Sequence, residues 1–165
     1  MNRNIRKVSL ILACLFILLV SVSCGGASYR DDVTSKALSD AVNPLLSGID
    51  DLDPADETYV SLQQKIPTDK CLDYAEMFQT SGVGIDEYGI FRVKEAADVQ
   101  AVEAAVKAYI ETAKDAFIES YAPGERPKLD NATVKIFGEH YVVYAVLSDN
   151  DKSALFSKIE EMLKK

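Results

Sequence analysis

The chain has 165 residues, 48% of them hydrophobic and 27% charged, with a formal net charge of −8. That is enough for one domain with a core of its own, without disulfides or metals to support it. The acid excess excludes a nucleic-acid binder, whose phosphate contacts need clustered Lys and Arg, and argues against electrostatic docking on anionic headgroups.

Residues 1–7 (MNRNIRK) carry three positive charges and no acid, and residues 8–20 (VSLILACLFILLV) form an uncharged apolar run. A small-residue stretch, SVSCGG, follows. This is the layout of an export signal, and the run is shorter than the ~20 residues that span a bilayer. Loss of Arg3, Arg6 and Lys7 with the signal would leave the mature chain more acidic still. Val20-Ser21-Val22-Ser23-Cys24 resembles the lipobox of bacterial lipoproteins, with Ser21 standing where Leu is commonest. The resemblance implies a diacylglyceryl group, with palmitate-type chains, on Cys24 and cleavage before it. Two acyl chains anchor stably where one does not. Gly25, Gly26, Ala27 and Ser28 then read as a short flexible tether. Cys14 leaves with the signal, so Cys71 is the only thiol of the domain and has no disulfide partner. It reads as a small buried hydrophobe.

From Tyr29 to Ile49, Leu38, Ala41, Val42, Leu45 and Leu46 fall at helical spacing, with a kink or restart expected at Pro44. Residues 50–57 (DDLDPADE) lack the alternation and the Gly of an EF-hand loop. They read as a helix start, with Asp53 as N-cap and Pro54 at the first position, running to about Gln64. Residues 71–80 (CLDYAEMFQT) fit a helix through Cys71, Tyr74, Ala75 and Phe78. They fit a strand through Leu72, Tyr74 and Phe78, with Glu76 breaking the pattern. Periodicity leaves both open. Ile85–Lys94 is a strand, and 95–121 is the strongest helix of the chain, with an apolar stripe from Val99 to Tyr121. Residues 132–137 and 140–147 flank Gly138-Glu139, which fits a type II′ hairpin. Asp149 or Asn150 caps a final helix carrying Leu155, Phe156, Ile159, Met162 and Leu163. The order, with no parallel βαβ series, predicts a two-layer α+β domain with an antiparallel sheet preceded by N-terminal helices. The expected organisation is a signal over 1–23, Cys24 with a tether over 24–30, a helical segment over 31–66 and an α+β domain over 67–165.

Two stretches carry a family resemblance: DEYGIFRVKEAADVQAVEAAVKAYIE (86–111) and YAPGERPKLDNATVKIFGEHYVVYAVLSDN (121–150). Together they resemble the bacterial lipoprotein family labelled domain of unknown function 4358, found mostly in Gram-positive bacteria. The resemblance implies that residues 71–80 form a first strand paired with 85–94, giving a β-β-α-β-β-α core. It brings no activity and no catalytic residue.

The only His, His140, sits beside the hairpin turn, so a multi-His metal site within the chain is excluded. A Cys71/His140 pair would be the one thiol–imidazole option, and a solvent-exposed turn histidine is the plainer reading. No G-x-S-x-G, H-E-x-x-H or P-loop occurs, and no cofactor or metal is expected. Asn131-Ala-Thr matches a glycosylation sequon, which has little force in a bacterium. The sequence therefore points to a non-enzymatic module at the envelope, tethered to the membrane through Cys24. Its partner would be an envelope protein, a wall polymer or a small ligand. The alternative is a small envelope enzyme whose site one sequence does not display. Strand 140–147 is apolar on both faces, as expected of a central strand covered on both sides. The other possibility is a groove between sheet and N-terminal segment, lined by Tyr88 or Tyr144, that would take an extended partner.

Overall fold

The computed structural model describes residues 28–46, 49, 51–80 and 84–165, so the signal, the lipobox and Cys24 lie outside the described residues. Residues 28–30, expected to belong to the tether, pair with the end of the chain. Tyr29 bridges Lys164, and the Lys165 amide donates to the Ser28 carbonyl at 2.8 Å.

Helix α1 spans Ser35–Val42, where Thr34 Oγ1 caps it by accepting from the Ala37 amide at 3.2 Å. The expected break at Pro44 is a 3-10 turn over Asn43–Leu45. Strand β1, Leu52–Pro54, then pairs with β2. This corrects the expected helix start at Asp53 and Pro54. Pro54 is tolerated because it lies on an edge strand, and the next helical turn is capped instead by Asp56, whose Oδ1 accepts from the Tyr59 amide at 2.7 Å. That turn is a π-turn over Tyr59–Gln63, closed by the Gln64 amide on the Tyr59 carbonyl at 3.0 Å. Lys65 follows in the left-handed region, at φ 60°.

Residues Cys71–Gln79 are strand β2, which settles the helix–strand ambiguity. Its pairing with β3, Glu87–Val93, slips between Cys71 and Asp73. The bulge leaves Leu72 exposed and returns Cys71 and Tyr74 to one face of the sheet. Three-residue spacing on one side of a strand is what imitated a helix. Helix α2 runs Val99–Ala116, five residues shorter at its end than expected, and Tyr121 is exposed. A short helix α3, Arg126–Asp130, precedes the hairpin of β4, Thr133–Phe137, and β5, Tyr141–Val146. Phe137 pairs with Tyr141, so the loop holds three residues rather than the two of a type II′ turn, and Gly138 takes the positive φ of 60°. Helix α4, Asp149–Leu163, is capped by Ser148, one residue earlier than expected.

The sheet is antiparallel throughout, in the order β1-β2-β3-β5-β4. The α+β class, the antiparallel sheet and the β-β-α-β-β-α order all hold. The layering differs from the two-layer expectation. Helices α1 and α4 cover one face, over Tyr88, Ile90, Tyr141, Val143 and Ala145. Helix α2 and the π-turn cover the other, over Phe91, Val93, Val142, Tyr144 and Val146. The cause is the composition of β5: all six residues are buried, and a strand apolar on both faces needs cover on both. Residues of 31–66 pack into both cores, Leu38, Val42 and Leu46 into one and Val60 and Ile66 into the other. Among the described residues no helix is long and apolar enough to cross a membrane.

Candidate functional site

The face under α2 is not wholly apolar. Glu76 on β2 and Glu87 on β3 both turn inward, two residues out of register on adjacent strands, where diagonal side chains on one face meet. Gln64, at the end of the π-turn, lies between them. Its Nε2 is 2.5 Å from Glu76 Oε1 and 2.5 Å from Glu87 Oε1. From β5, the Tyr144 hydroxyl donates to Glu87 Oε1 at 2.5 Å, and from α2 the Tyr109 hydroxyl donates to Glu87 Oε2 at 2.7 Å. The proton of Tyr109 is thus committed. The Tyr59 hydroxyl, 3.3 Å away, donates to Tyr109 in turn. The Tyr59 ring is held by stacking on Phe78, with centroids 4.7 Å apart.

Burial dominates the electrostatics. It pushes the Glu76 carboxyl up to about 9, helped by the neighbouring Glu87 charge and opposed by donation from Gln64 and Tyr144. Burial also raises Glu87, but donors converge on it from Tyr144, Tyr109, Glu76 and Gln64. At neutral pH the pair therefore keeps one proton. The donor count puts the charge on Glu87 and the proton on Glu76. The tyrosines are raised as well, Tyr59 to about 12, by burial first and by the nearby carboxylates next, so all remain neutral donors.

Glu87, Tyr59 and Tyr109 form the polar end of a cleft of about 280 Å³, whose walls include Phe78, Ile110 and Phe117. Asp86 also lines it. Asp86 is 5% exposed, with Oδ2 held by Lys128 at 2.7 Å, while Oδ1 has no donor among the described residues. Lys128 is shared with Glu125, also at 2.7 Å, and burial raises the Asp86 carboxyl despite Lys128. The cleft opens at the Glu87–Val146 end of β3 and β5. Ser28, the first described residue, lies at the opposite end, beside the hairpin residues 137–141. Among the described residues no cluster of His, Cys, Asp and Glu could hold a metal ion.

The residues singled out from sequence fall elsewhere. Tyr88 and Tyr144 are both fully buried and lie on opposite faces of the sheet, so they do not line one groove. Adjacent residues of β3 and β5 face opposite ways. Tyr88 therefore lies under α1, bonded to Ser39 at 2.7 Å, while Tyr144 supports Glu87 from behind the cleft. Helix α1 covers the face that carries Tyr88, so among the described residues no groove between sheet and N-terminal segment exposes either ring. Cys71 is buried, directed at the Pro67 carbonyl at 3.8 Å, and its thiol is pushed up to about 12 by burial and nearby aspartates. His140 is half-buried, with Nδ1 3.4 Å from the Val93 carbonyl, so the two form no thiol–imidazole pair. Sequence reading passed over Gln64, Glu76, Glu87 and Tyr109. The signal was an acid in the inward phase of two neighbouring strands.

The fold and site thus define a small α+β domain with a tyrosine–carboxyl cleft at one end of its sheet. The family described as Domain of unknown function (DUF4358) matches residues 59–147, more than half of the chain and the whole span from Tyr59 to Val146 that builds the cleft. The chain belongs to that family. No curated protein and no solved structure matches it.

Proposed function

We propose that the protein is a lipid-anchored module on the outer face of a bacterial membrane that binds a small ligand and does not turn it over. The observation that carries the binding role is the cleft: apolar walls around a few convergent, pre-bonded polar groups, the usual build of a small-molecule site. Its volume suits a small molecule better than a folded partner or a wall polymer. The anchoring role rests on the lipobox-like Cys24 and the basic–apolar leader before it. The two roles fit sterically. The described chain begins at the hairpin end of the sheet, and a strand of six residues spans about 20 Å. A tether at Ser28 would therefore hold the mouth of the cleft away from the bilayer.

One observation favours a second reading, a small envelope enzyme: Glu76 and Glu87 place a held proton beside a carboxylate, as an acid–base pair does. Glu76 is 2% exposed and behind Glu87, and the only thiol among the described residues, Cys71, is directed elsewhere, so binding is the better-supported role. Metabolic labelling with a fatty-acid analogue tests the anchor. Wild-type protein should be labelled and membrane-bound. Cys24→Ser protein should be unlabelled and either released or held as uncleaved precursor. Unlabelled wild-type protein would refute the anchor.

A further inference from the structure

The charge and hydrogen-bonding character of the cleft select among small ligands. Glu87 is a buried carboxylate in its lining, and Asp86 on its wall has one oxygen without a donor among the described residues. The Tyr59 proton goes to Tyr109, so the Tyr59 oxygen is left as an acceptor. Two cations stand near it, and both are engaged: Lys128 is shared between Asp86 and Glu125, and Arg126, over the Phe117 ring at 5.9 Å, is paired with Asp130 at 2.8 Å. Gln79 at the rim can turn its amide either way. Four aromatic rings, Tyr59, Phe78, Tyr109 and Phe117, line the same space. Acceptors without free cations, walled by aromatic rings, are the chemistry that recognises an ammonium group, through charged hydrogen bonds and attraction to aromatic rings. An anionic ligand would meet two carboxylates and no free base.

We infer that the cleft takes an organic ammonium ion on a small apolar body, with its N–H groups on the oxygens of Glu87, Asp86 and Tyr59 and its body against Ile110 and Phe117. This rests on the reading of the cleft as the ligand site. The buried pair makes the binding proton-linked. The groups facing Glu76 and Glu87 are Tyr59 and Gln64 from the π-turn, Tyr74 from β2, Tyr109 from α2 and Tyr144 from β5. No Lys, Arg or His bonds either carboxyl among the described residues, so nothing else neutralises the pair. A cation arriving at Glu87 favours the fully ionised pair, so binding releases part of the shared proton and tightens as pH rises.

The test uses the full chain in lipid nanodiscs, titrated calorimetrically with three probes of matched size: 2-phenylethylammonium, 2-phenylethanol and 3-phenylpropionate. The ammonium probe should bind at least tenfold more tightly than either of the others, with proton release seen as a dependence of the heat on the buffer's ionisation enthalpy. Glu87→Gln should weaken the ammonium at least tenfold more than it weakens the alcohol. Asp86→Asn, on the cleft wall, serves the same purpose if Glu87→Gln does not fold. Ala113→Phe fills the cleft without touching a carboxyl and should abolish binding. Equal affinity for alcohol and ammonium, or tighter binding of the carboxylate, would overturn the ammonium assignment while leaving the cleft as the site, provided Ala113→Phe still removes binding. No binding of any probe, or binding indifferent to Ala113→Phe, would overturn the cleft itself.

Discussion

Replacing Glu76 by Gln should make the protein's stability nearly independent of pH where the wild type is most sensitive. The folded state holds the Glu76 carboxyl at about 9, against an ordinary value of 4.5 for the unfolded chain. Between these values the folded protein keeps a proton that the unfolded chain has lost. Stability is therefore fully present below about 4.5 and declines as pH rises towards 9. One retained proton corresponds to a slope of roughly 1.4 kcal/mol per pH unit, so from pH 6 to pH 8 the wild type should lose roughly 2–3 kcal/mol. That is a sizeable part of the 5–15 kcal/mol that holds a typical domain folded. Glu87 and Asp86 are raised by burial too, so their contributions have the same sign and do not mask the effect. Gln keeps the shape, can donate to Glu87 in place of the carboxyl proton, and can accept from Gln64, so the network survives while the titration goes. Urea unfolding at pH 5, 6, 7 and 8 measures it. The Glu76→Gln slope should be less than half that of the wild type, and the variant should be the more stable of the two at pH 8. A wild type whose stability is flat or rises from pH 6 to 8, or a variant that runs parallel to it, would refute the shared-proton account.

Gly89 pairs with Tyr144, and a Cβ there would stand 2.4 Å from the Tyr144 ring and 2.8 Å from the Phe91 ring, both immobile in the core. Gly89→Ala should cost about 1–3 kcal/mol in urea unfolding, and should weaken binding in the cleft by displacing the tyrosine that supports Glu87. Cys71 should react with iodoacetamide at native pH at a small fraction of the rate of an unfolded control, because burial holds it as the neutral thiol; alkylation at the unfolded rate would show the sulfur to be reachable.

The apolar elements were legible because each follows one rule. Leu155, Phe156, Ile159 and Leu163 keep the helical stripe of α4, and β5 declares itself central by having no wet face. From β5 the sequence offered two outcomes, cover on both faces or a groove on one; the structure covers both, with α1 and α4 over Tyr141 and Val143 and α2 and the π-turn over Val142 and Tyr144. Strand β2 could not be read from its period because the bulge at Leu72 shifts the phase. Strand β1 is three residues long with a proline in it, and it exists only because β2 offers an edge. The site was invisible for a different reason. In a chain with 26 acidic residues, Glu76 and Glu87 look like any others until the pairing of β2 with β3 brings them together under Gln64.

Departures from ordinary folding rules are not spread evenly over this domain. The face under α1 and α4 departs from them less: its core is mainly apolar, and the two tyrosine hydroxyls in it are satisfied, Tyr88 by Ser39 and Asn43 and Tyr141 by the Val33 carbonyl, while the Nε of Arg92 at its edge has no acceptor among the described residues. The face under α2 breaks several at once. A π-turn replaces an α-turn at Tyr59–Gln63, and Lys65 sits at φ 60°, where a side chain costs about 1–2 kcal/mol. Two carboxyls share a proton out of water, and Asp86 leaves a buried oxygen without a donor among the described residues. Each departure costs stability, and a core built for stability alone would pack better with Leu in place of Glu76 and Glu87. The π-turn and the buried acids meet at one cleft: the π-turn positions Tyr59 and Gln64, and the carboxyls and tyrosines form its polar end. Strain and buried charge that converge on a single opening mark it as the part of the domain shaped for something other than folding.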